Sequence, residues 1–127
     1  MEIVRRANTS WESGDWRGPA ELFDPDIEVV FSTTAFPDPG AYRGGRVALA
    51  AWDRWLEAWE DFRLELEDVI DLGSRVVSLN RLHGLGKTSG ATVDAEVGCI
   101  FDCHRGRIVR MVFCDRGEAL EAAGLGE

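Results

Sequence analysis

Residues 75 to 114 constrain the fold more than any other stretch, because they have the pattern of three consecutive strands. The predicted strands are Arg75–Gly86, Thr92–Cys103 and Arg107–Cys114. Between the last two, Gly106 stands where a tight hairpin requires a positive φ. With Arg105-Gly106 as a two-residue loop, His104 opposes Arg107. The segment therefore predicts an antiparallel meander.

The two faces of this meander differ in polarity, because successive side chains of a strand alternate between its faces. Counting back and forward from the turn, one predicted face carries Val97, Cys99, Phe101, Cys103, Ile108, Arg110, Val112 and Cys114. The other carries Asp94, Glu96, Gly98, Ile100, Asp102, Val109, Met111 and Phe113. Helices cover the apolar side of a sheet, so the first face is the predicted interior.

The composition narrows the class of protein. A chain of 127 residues with 45% hydrophobic residues and five tryptophans predicts one folded domain over residues 1–127. Its net charge of −9, from 23 acidic and 14 basic residues, repels phosphate backbones and anionic lipid, so we expect no nucleic-acid and no membrane partner. Three cysteines and an N-terminus without an apolar core predict a cytoplasmic protein with reduced thiols.

The rest of the chain supplies helices and two further strands. The predicted order is a helix over 2–13, a short helix over 19–23, a strand Ile27–Phe31, a loop Ser32–Gly45, a helix Arg46–Glu60, a strand Asp61–Asp71, the meander, and a closing helix Asp115–Ala123. A run of strands with helices around it predicts an α+β fold, in which a curved, mostly antiparallel sheet carries helices on one face.

Four local signatures add a family resemblance. They are Ser13-Gly14-Asp15-Trp16, Leu22-Phe23-Asp24-Pro25-Asp26-Ile27, Tyr42-Arg43-Gly44 and Arg105-Gly106-Arg107-Ile108-Val109. With the order of elements, they resemble the SnoaL-like branch of the nuclear transport factor 2-like (ketosteroid isomerase-like) superfamily. The resemblance implies a cone-shaped sheet with N-terminal helices packed on its concave face, a pocket between them, and a homodimer. It does not imply one reaction, because the superfamily includes isomerases, cyclases, dehydratases, epoxide hydrolases and non-catalytic binders.

The strongest candidates for acid–base chemistry are four polar residues on neighbouring strands: Arg81 and His83 on one strand, and Asp94 and Glu96 on the next. A histidine beside a carboxylate can act as a general base with its orienting partner. If the Lys87–Gly90 connection has an even number of residues, the set lies on the mixed face and forms surface ion pairs. An odd number would turn it toward the interior.

With an even connection, Asn80 becomes the polar residue of the buried face. In epoxide-hydrolase relatives an arginine and an aspartate would fall at Asn80 and Leu82, so that reaction does not carry over. In steroid-isomerase relatives the carboxylate base would fall near Ala35 or Phe36, and the nearest acid here is Asp38. Tyr42, the single tyrosine, could donate to a carbonyl oxygen or simply pack.

Two functions remain open at this point. The first is a domain that binds a small apolar molecule, lined by Trp16, Phe31, Trp52, Trp55, Leu82, Cys99, Phe101, Arg110 and Val112. The second is a cofactor-independent isomerase or cyclase that moves a proton next to a carbonyl, with catalytic candidates Asn80, Tyr42, Asp38, His83 and Asp94. Phosphate-binding loops, dinucleotide fingerprints and metal-ligand spacings are missing from the sequence, so it predicts no cofactor and no metal.

Overall fold

The computed structural model describes residues 5, 6, 9, 22–32, 40–57, 59–87 and 90–124. Its elements are β1 (Phe23–Phe31), β2 (Gly40–Arg43), α1 (Gly45–Glu57), β3 (Trp59–Asp71), β4 (Arg75–Gly86), β5 (Thr92–His104), β6 (Arg107–Asp115) and α2 (Arg116–Ala122). The strands form one curved six-stranded sheet in the order β2-β1-β6-β5-β4-β3. Strands β1 and β6 are parallel, and the other neighbouring pairs are antiparallel. The fold class is the predicted α+β one.

Most predicted elements are confirmed within a few residues. Strand β4 has the predicted bounds, and β3, β5, β6 and both described helices differ by one to three residues at an end. Strand β2 lies inside the predicted loop Ser32–Gly45, which is therefore wrong at its C-terminal end. Of the predicted helix over 2–13, only Arg5, Arg6 and Thr9 are described, and they are helical. The predicted helix over 19–23 falls outside the described residues except for its last two, and Phe23 already belongs to β1.

The β5–β6 hairpin forms the predicted two-residue turn. Arg105 and Gly106 have φ of 52° and 78°, and His104 pairs with Arg107. Beyond the turn, however, the register shifts: Cys103 pairs with Ile108, but Asp102 pairs with Arg110. Val109 is thus the extra residue of a β-bulge, and every later side chain of β6 lies on the face opposite to the one predicted.

One face of the sheet, the inner face, is covered by α1. Its buried residues are Ile27, Val29, Phe31, Leu64, Val76, Leu82, Val97, Cys99, Phe101, Ile108, Met111 and Phe113, and Leu56 of α1 packs against them. Phe101 and Phe113 are no more than 1% exposed. Burying a side chain of this size contributes about 1.5–3 kcal/mol, so this cluster is the main apolar core.

The opposite, outer face is covered in part by α2, contrary to the prediction that helices lie on one face only. Val77, Leu79, Ile100, Val112 and Cys114 pack there with Ala119 of α2. Gly98 allows this close approach, because a Cβ at Gly98 would overlap the Cβ of Ala119. The mixed face therefore has a small core of its own, beside the charged residues at the other end of the strands.

Candidate functional site

The inner face carries two buried polar side chains, and both lie on β4. Among the described residues, Ser78 (0% exposed) and Asn80 (2% exposed) are the buried polar residues of the protein. They are two positions apart, so they point to the same face as Leu82 and Val76. Ser78 pairs with Cys99 and Asn80 with Val97. Asn80 also pairs with Leu66 of β3, so its amide is surrounded by apolar neighbours.

The hydrogen bonds of the Asn80 amide are incomplete. Its Nδ2 donates to Ser78 Oγ over 3.0 Å. Its Oδ1 is buried and accepts no hydrogen bond from the described residues. A buried acceptor without a donor costs about 1–3 kcal/mol, and most buried polar atoms in proteins are paired. Asn80 Oδ1 is therefore a buried acceptor whose hydrogen bond is unmet among the described residues.

The remaining inner-face candidates are apolar. Leu82 lies on the same strand as Asn80, and Cys99 and Phe101 lie on the neighbouring β5. Phe31 lies on β1, three strand positions away. Leu82 and Phe101 are fully buried, Cys99 is 1% exposed and Phe31 is 4% exposed. Burial is the main cause that raises the pKa of the Cys99 thiol well above its ordinary value, and the neighbouring Cys114 adds to it. A thiol that stays protonated is a poor nucleophile, so Cys99 contributes packing.

Tyr42 lies on the inner face but at the other end of the sheet. It pairs with Val29, and its ring makes an edge contact with Phe31 at a centroid distance of 5.8 Å. Strands β1, β6 and β5 lie between β2 and β4. Four strand spacings of about 4.8 Å separate the two residues along the sheet. The structure therefore does not place Tyr42 beside Asn80, as joint polarisation of one oxygen requires.

Two predicted lining residues point the other way, which corrects the sequence prediction. Arg110 and Val112 lie on the outer face because the bulge at Val109 reverses the alternation of β6. Arg110 Nε donates to Glu28 Oε1 over 2.7 Å, and Val112 packs under α2. Met111 and Phe113 take their places on the inner face. The placement of Cys114 on the apolar inner face is corrected in the same way.

Four further candidates have no described side chains. Trp16 and Asp38 lie outside the described residues, and Trp52 and Trp55 belong to α1 but their side chains are not described. Ser78 was missed by the sequence prediction. Its signal was its position two residues before Asn80 on the same strand face.

The charged set lies on the outer face, as an even connection between β4 and β5 predicts. Gly86 N–H donates to Ala91 O, which leaves the four residues 87–90 as the loop. His83 pairs directly with Asp94, and Arg81 with Glu96. The four residues are therefore neighbours across two strands, on the side opposite to Asn80.

Arg81 is the centre of this charged set. It donates from Nη1 to Asp94 Oδ1 over 2.7 Å and from Nη2 to Glu96 Oε1 over 3.0 Å. Its Nε lies 3.6 Å from Glu67 Oε2. The hydrogen bond from Arg81 holds the pKa of the Asp94 carboxyl below its ordinary value. Such exposed pairs add little stability individually, but together they fix the side chains on this face.

His83 stands between two carboxylates without a hydrogen bond to either. Its Nδ1 is 3.8 Å from Asp94 Oδ2 and its Nε2 is 3.7 Å from Glu65 Oε1. It borders an open depression of about 420 Å3 at the edge of the sheet where β3 and β5 begin and β4 ends. Asp94 Oδ1 already pairs with Arg81 Nη1 at 2.7 Å, so Asp94 is a weak orienting partner for the imidazole of His83. Within the described residues, no three His, Cys, Asp or Glu side chains gather as metal ligands.

The curved, mostly antiparallel six-stranded sheet and its helices make this an α+β domain of the cone class, with a buried amide on the covered face. The SnoaL-like domain family matches residues 4–111, and the chain belongs to that family. None of the curated proteins matches the chain in sequence. No described helix has the length and apolar character that crossing a membrane requires.

Three solved structures illustrate the likeness. A proposed SnoaL-like polyketide cyclase from Jannaschia sp. CCS1 is 23% identical with a TM-score of 0.78, over 99% of this chain and 91% of that chain. A nuclear transport factor 2-like protein from Burkholderia thailandensis E264 is 22% identical with a TM-score of 0.83, over 98% and 94%. TerC, crystallised with polyporic acid, is 18% identical with a TM-score of 0.77, over 96% and 95%. At these identities the likeness concerns the fold.

Proposed function

We propose that this SnoaL-like domain binds a small, mostly apolar molecule against the inner face of its sheet, with Asn80 as the polar anchor. The observation that carries the proposal is Asn80 Oδ1, which is buried and receives no hydrogen bond from the described residues. Apolar lining with a few convergent polar groups is the usual composition of a small-molecule site. Leu82, Cys99 and Phe101 supply that lining.

The binding function is favoured over catalysis by what the inner face lacks. Its buried polar groups within the described residues are one hydroxyl and one amide, and neither is a base at neutral pH. An isomerase or cyclase of the proton-transfer kind uses a positioned acid–base group, most often an imidazole or a carboxylate, within hydrogen-bond reach of the substrate. His83 and Asp94 lie on the outer face. Asp38 remains the candidate base for the alternative function, in which Asn80 would hold the substrate.

Two relatives in fold support a small-molecule role. The Jannaschia protein is a proposed polyketide cyclase, and TerC was crystallised with polyporic acid. We also infer a single domain over residues 1–127, from the length and apolar content of the chain. We infer a cytoplasmic location because the three cysteines are free thiols. The net charge of −9 argues against nucleic-acid binding.

A homodimer is the expected assembly, from the family resemblance and from the half-buried charged residues of the outer face. Light scattering at micromolar concentration should then give twice the mass of one chain. A monomeric mass would remove this part of the proposal and leave the inner-face site unaffected.

The test of binding is a titration with naphthalene and 2-naphthol, followed by tryptophan fluorescence and by calorimetry. We expect saturable 1:1 binding with a negative heat-capacity change, because apolar surface becomes buried. Asn80→Leu should weaken 2-naphthol by about tenfold, since the anchor is lost. His83→Gln, on the opposite face, is the matched control and should leave the affinity unchanged. Absence of saturable binding by either compound to the folded protein would refute the proposed function.

A further inference from the structure

The Asn80 amide keeps both a donor and an acceptor that its described neighbours do not use, and this pair points to a class of ligand if the proposed function holds. A carboxamide has two N–H groups and one oxygen. One N–H of Nδ2 donates to Ser78 Oγ over 3.0 Å, and Oδ1 is buried without a hydrogen bond from the described residues. One N–H and one oxygen therefore remain for a bound molecule.

The two remaining groups lie side by side on the edge of the amide that faces away from the sheet. Four inner-face neighbours surround Asn80 laterally, namely Ser78 and Leu82 along β4, and Leu66 and Val97 on the adjoining strands. The serine side chain is shorter than that of asparagine, so Ser78 Oγ lies closer to the sheet and pairs with the N–H directed back toward Cβ. The other N–H and a lone pair of Oδ1 then point together, away from the sheet.

This edge is the same whichever amide atom pairs with Ser78. If the amide is turned over about its Cβ–Cγ bond, the Ser78 hydroxyl donates to Oδ1 instead of accepting from Nδ2. Nδ2 and Oδ1 then exchange places, and the outer edge again holds one N–H and one oxygen lone pair. A bound molecule therefore meets a donor and an acceptor together in both orientations.

We propose that the ligand is a neutral, planar molecule with a donor and an acceptor on neighbouring atoms, as in a lactam, and that it forms two parallel hydrogen bonds with Asn80. Asparagine pairs with the edge of adenine in this bidentate way. An ionised carboxylate lacks the donor, and the net charge of −9 disfavours phosphorylated ligands. A ketone or an ether also lacks the donor and leaves Oδ1 unpaired away from water, which weakens its binding.

The experiment compares three isomers of one formula: 2-quinolone, 1-isoquinolone and 4-quinolone. The first two are lactams with N–H and C=O on neighbouring atoms, whereas 4-quinolone carries these groups at opposite ends of its ring. Calorimetry measures their binding to the wild-type protein, to Asn80→Leu and to the control His83→Gln, which changes the opposite face.

We expect the wild-type protein and His83→Gln to bind both lactams about tenfold more tightly than 4-quinolone, because the lactams form one more hydrogen bond and leave no edge group unpaired. In Asn80→Leu this preference should be lost, since leucine offers neither a donor nor an acceptor.

The outcomes separate this inference from the proposed function. Equal or absent binding of the three isomers, beside saturable binding of naphthalene and 2-naphthol, would overturn the ligand class and leave small-molecule binding in place. A preference for the lactams that persists in Asn80→Leu would also overturn the ligand class, because another group would then recognise them. Absence of binding by every probe to the wild-type protein would overturn both. Far-UV circular dichroism establishes that each variant is folded, and the comparison of isomers on the wild-type protein requires no variant.

Discussion

Replacing Asn80 by leucine and Ser78 by alanine together should stabilise the unliganded protein, although both residues are buried. The double substitution removes Asn80 Oδ1, whose unmet hydrogen bond costs about 1–3 kcal/mol. It also removes the bond from Nδ2 to Ser78 Oγ, which contributes about 0.5–1.5 kcal/mol, and it leaves no buried hydroxyl without a partner. The difference favours the double variant by about 1 kcal/mol. A residue kept at such a cost to the free protein is typical of a binding site.

The assay is urea unfolding at equilibrium together with thermal unfolding. A gain of about 1 kcal/mol should raise Tm by about 4 °C in a chain of this length. Leu82→Asn is the matched control, because Leu82 lies on the same strand face and is fully buried. It should lose about 3 kcal/mol, since it buries an amide in place of a well-packed side chain. If the double variant instead lost more than about 1 kcal/mol, Oδ1 would be paired inside the free protein and its role would be structural.

Two further predictions concern the outer face. Gly98→Ala should destabilise the protein by about 1–3 kcal/mol, because its methyl group would overlap Ala119 and displace α2. In the double variant, Ala119→Gly should restore part of this loss. The control Gly117→Ala has open space around the added methyl group and should not destabilise the protein. Arg81→Gln should raise the pKa of Asp94 toward its ordinary value, as measured by NMR titration. Because a lowered carboxyl pKa stabilises the folded state above the ordinary value near 4, the wild-type protein should lose stability as the pH falls below it, and the variant should lose less.

The sheet could be predicted from sequence where two faces of a strand differ in polarity. Strand β3 alternates apolar and charged residues from Phe62 to Glu67, and its existence followed from that pattern alone. The turn at Arg105-Gly106 also had a local signal, because glycine readily adopts the positive φ that a tight hairpin turn requires, and both turn residues have positive φ in the structure. Strand β2 had no such signal. Its four residues are held by pairing with β1, which is a long-range contact.

The site could be predicted only as far as the alternation was unbroken. Asn80 and Leu82 were placed correctly because β4 and β5 pair without a register shift. Arg110 and Val112 were placed wrongly because β6 is apolar at consecutive positions, from Met111 to Cys114, so either face could have been buried. The partner of the Asn80 amide, Ser78, required the geometry of the side chains.

The extra residue at Val109 also limits how residues can be compared between this chain and its relatives. For a relative whose last strand has no such bulge, an alignment at 23% identity or less can place the one-residue gap before or after Phe113, and the two choices equate Phe113 with residues on opposite sides of the sheet. A lining residue would then be matched to one that packs under α2. Roles of positions 110–114 should therefore be transferred by superposed strand pairing, beginning from the pair Cys99 and Phe113.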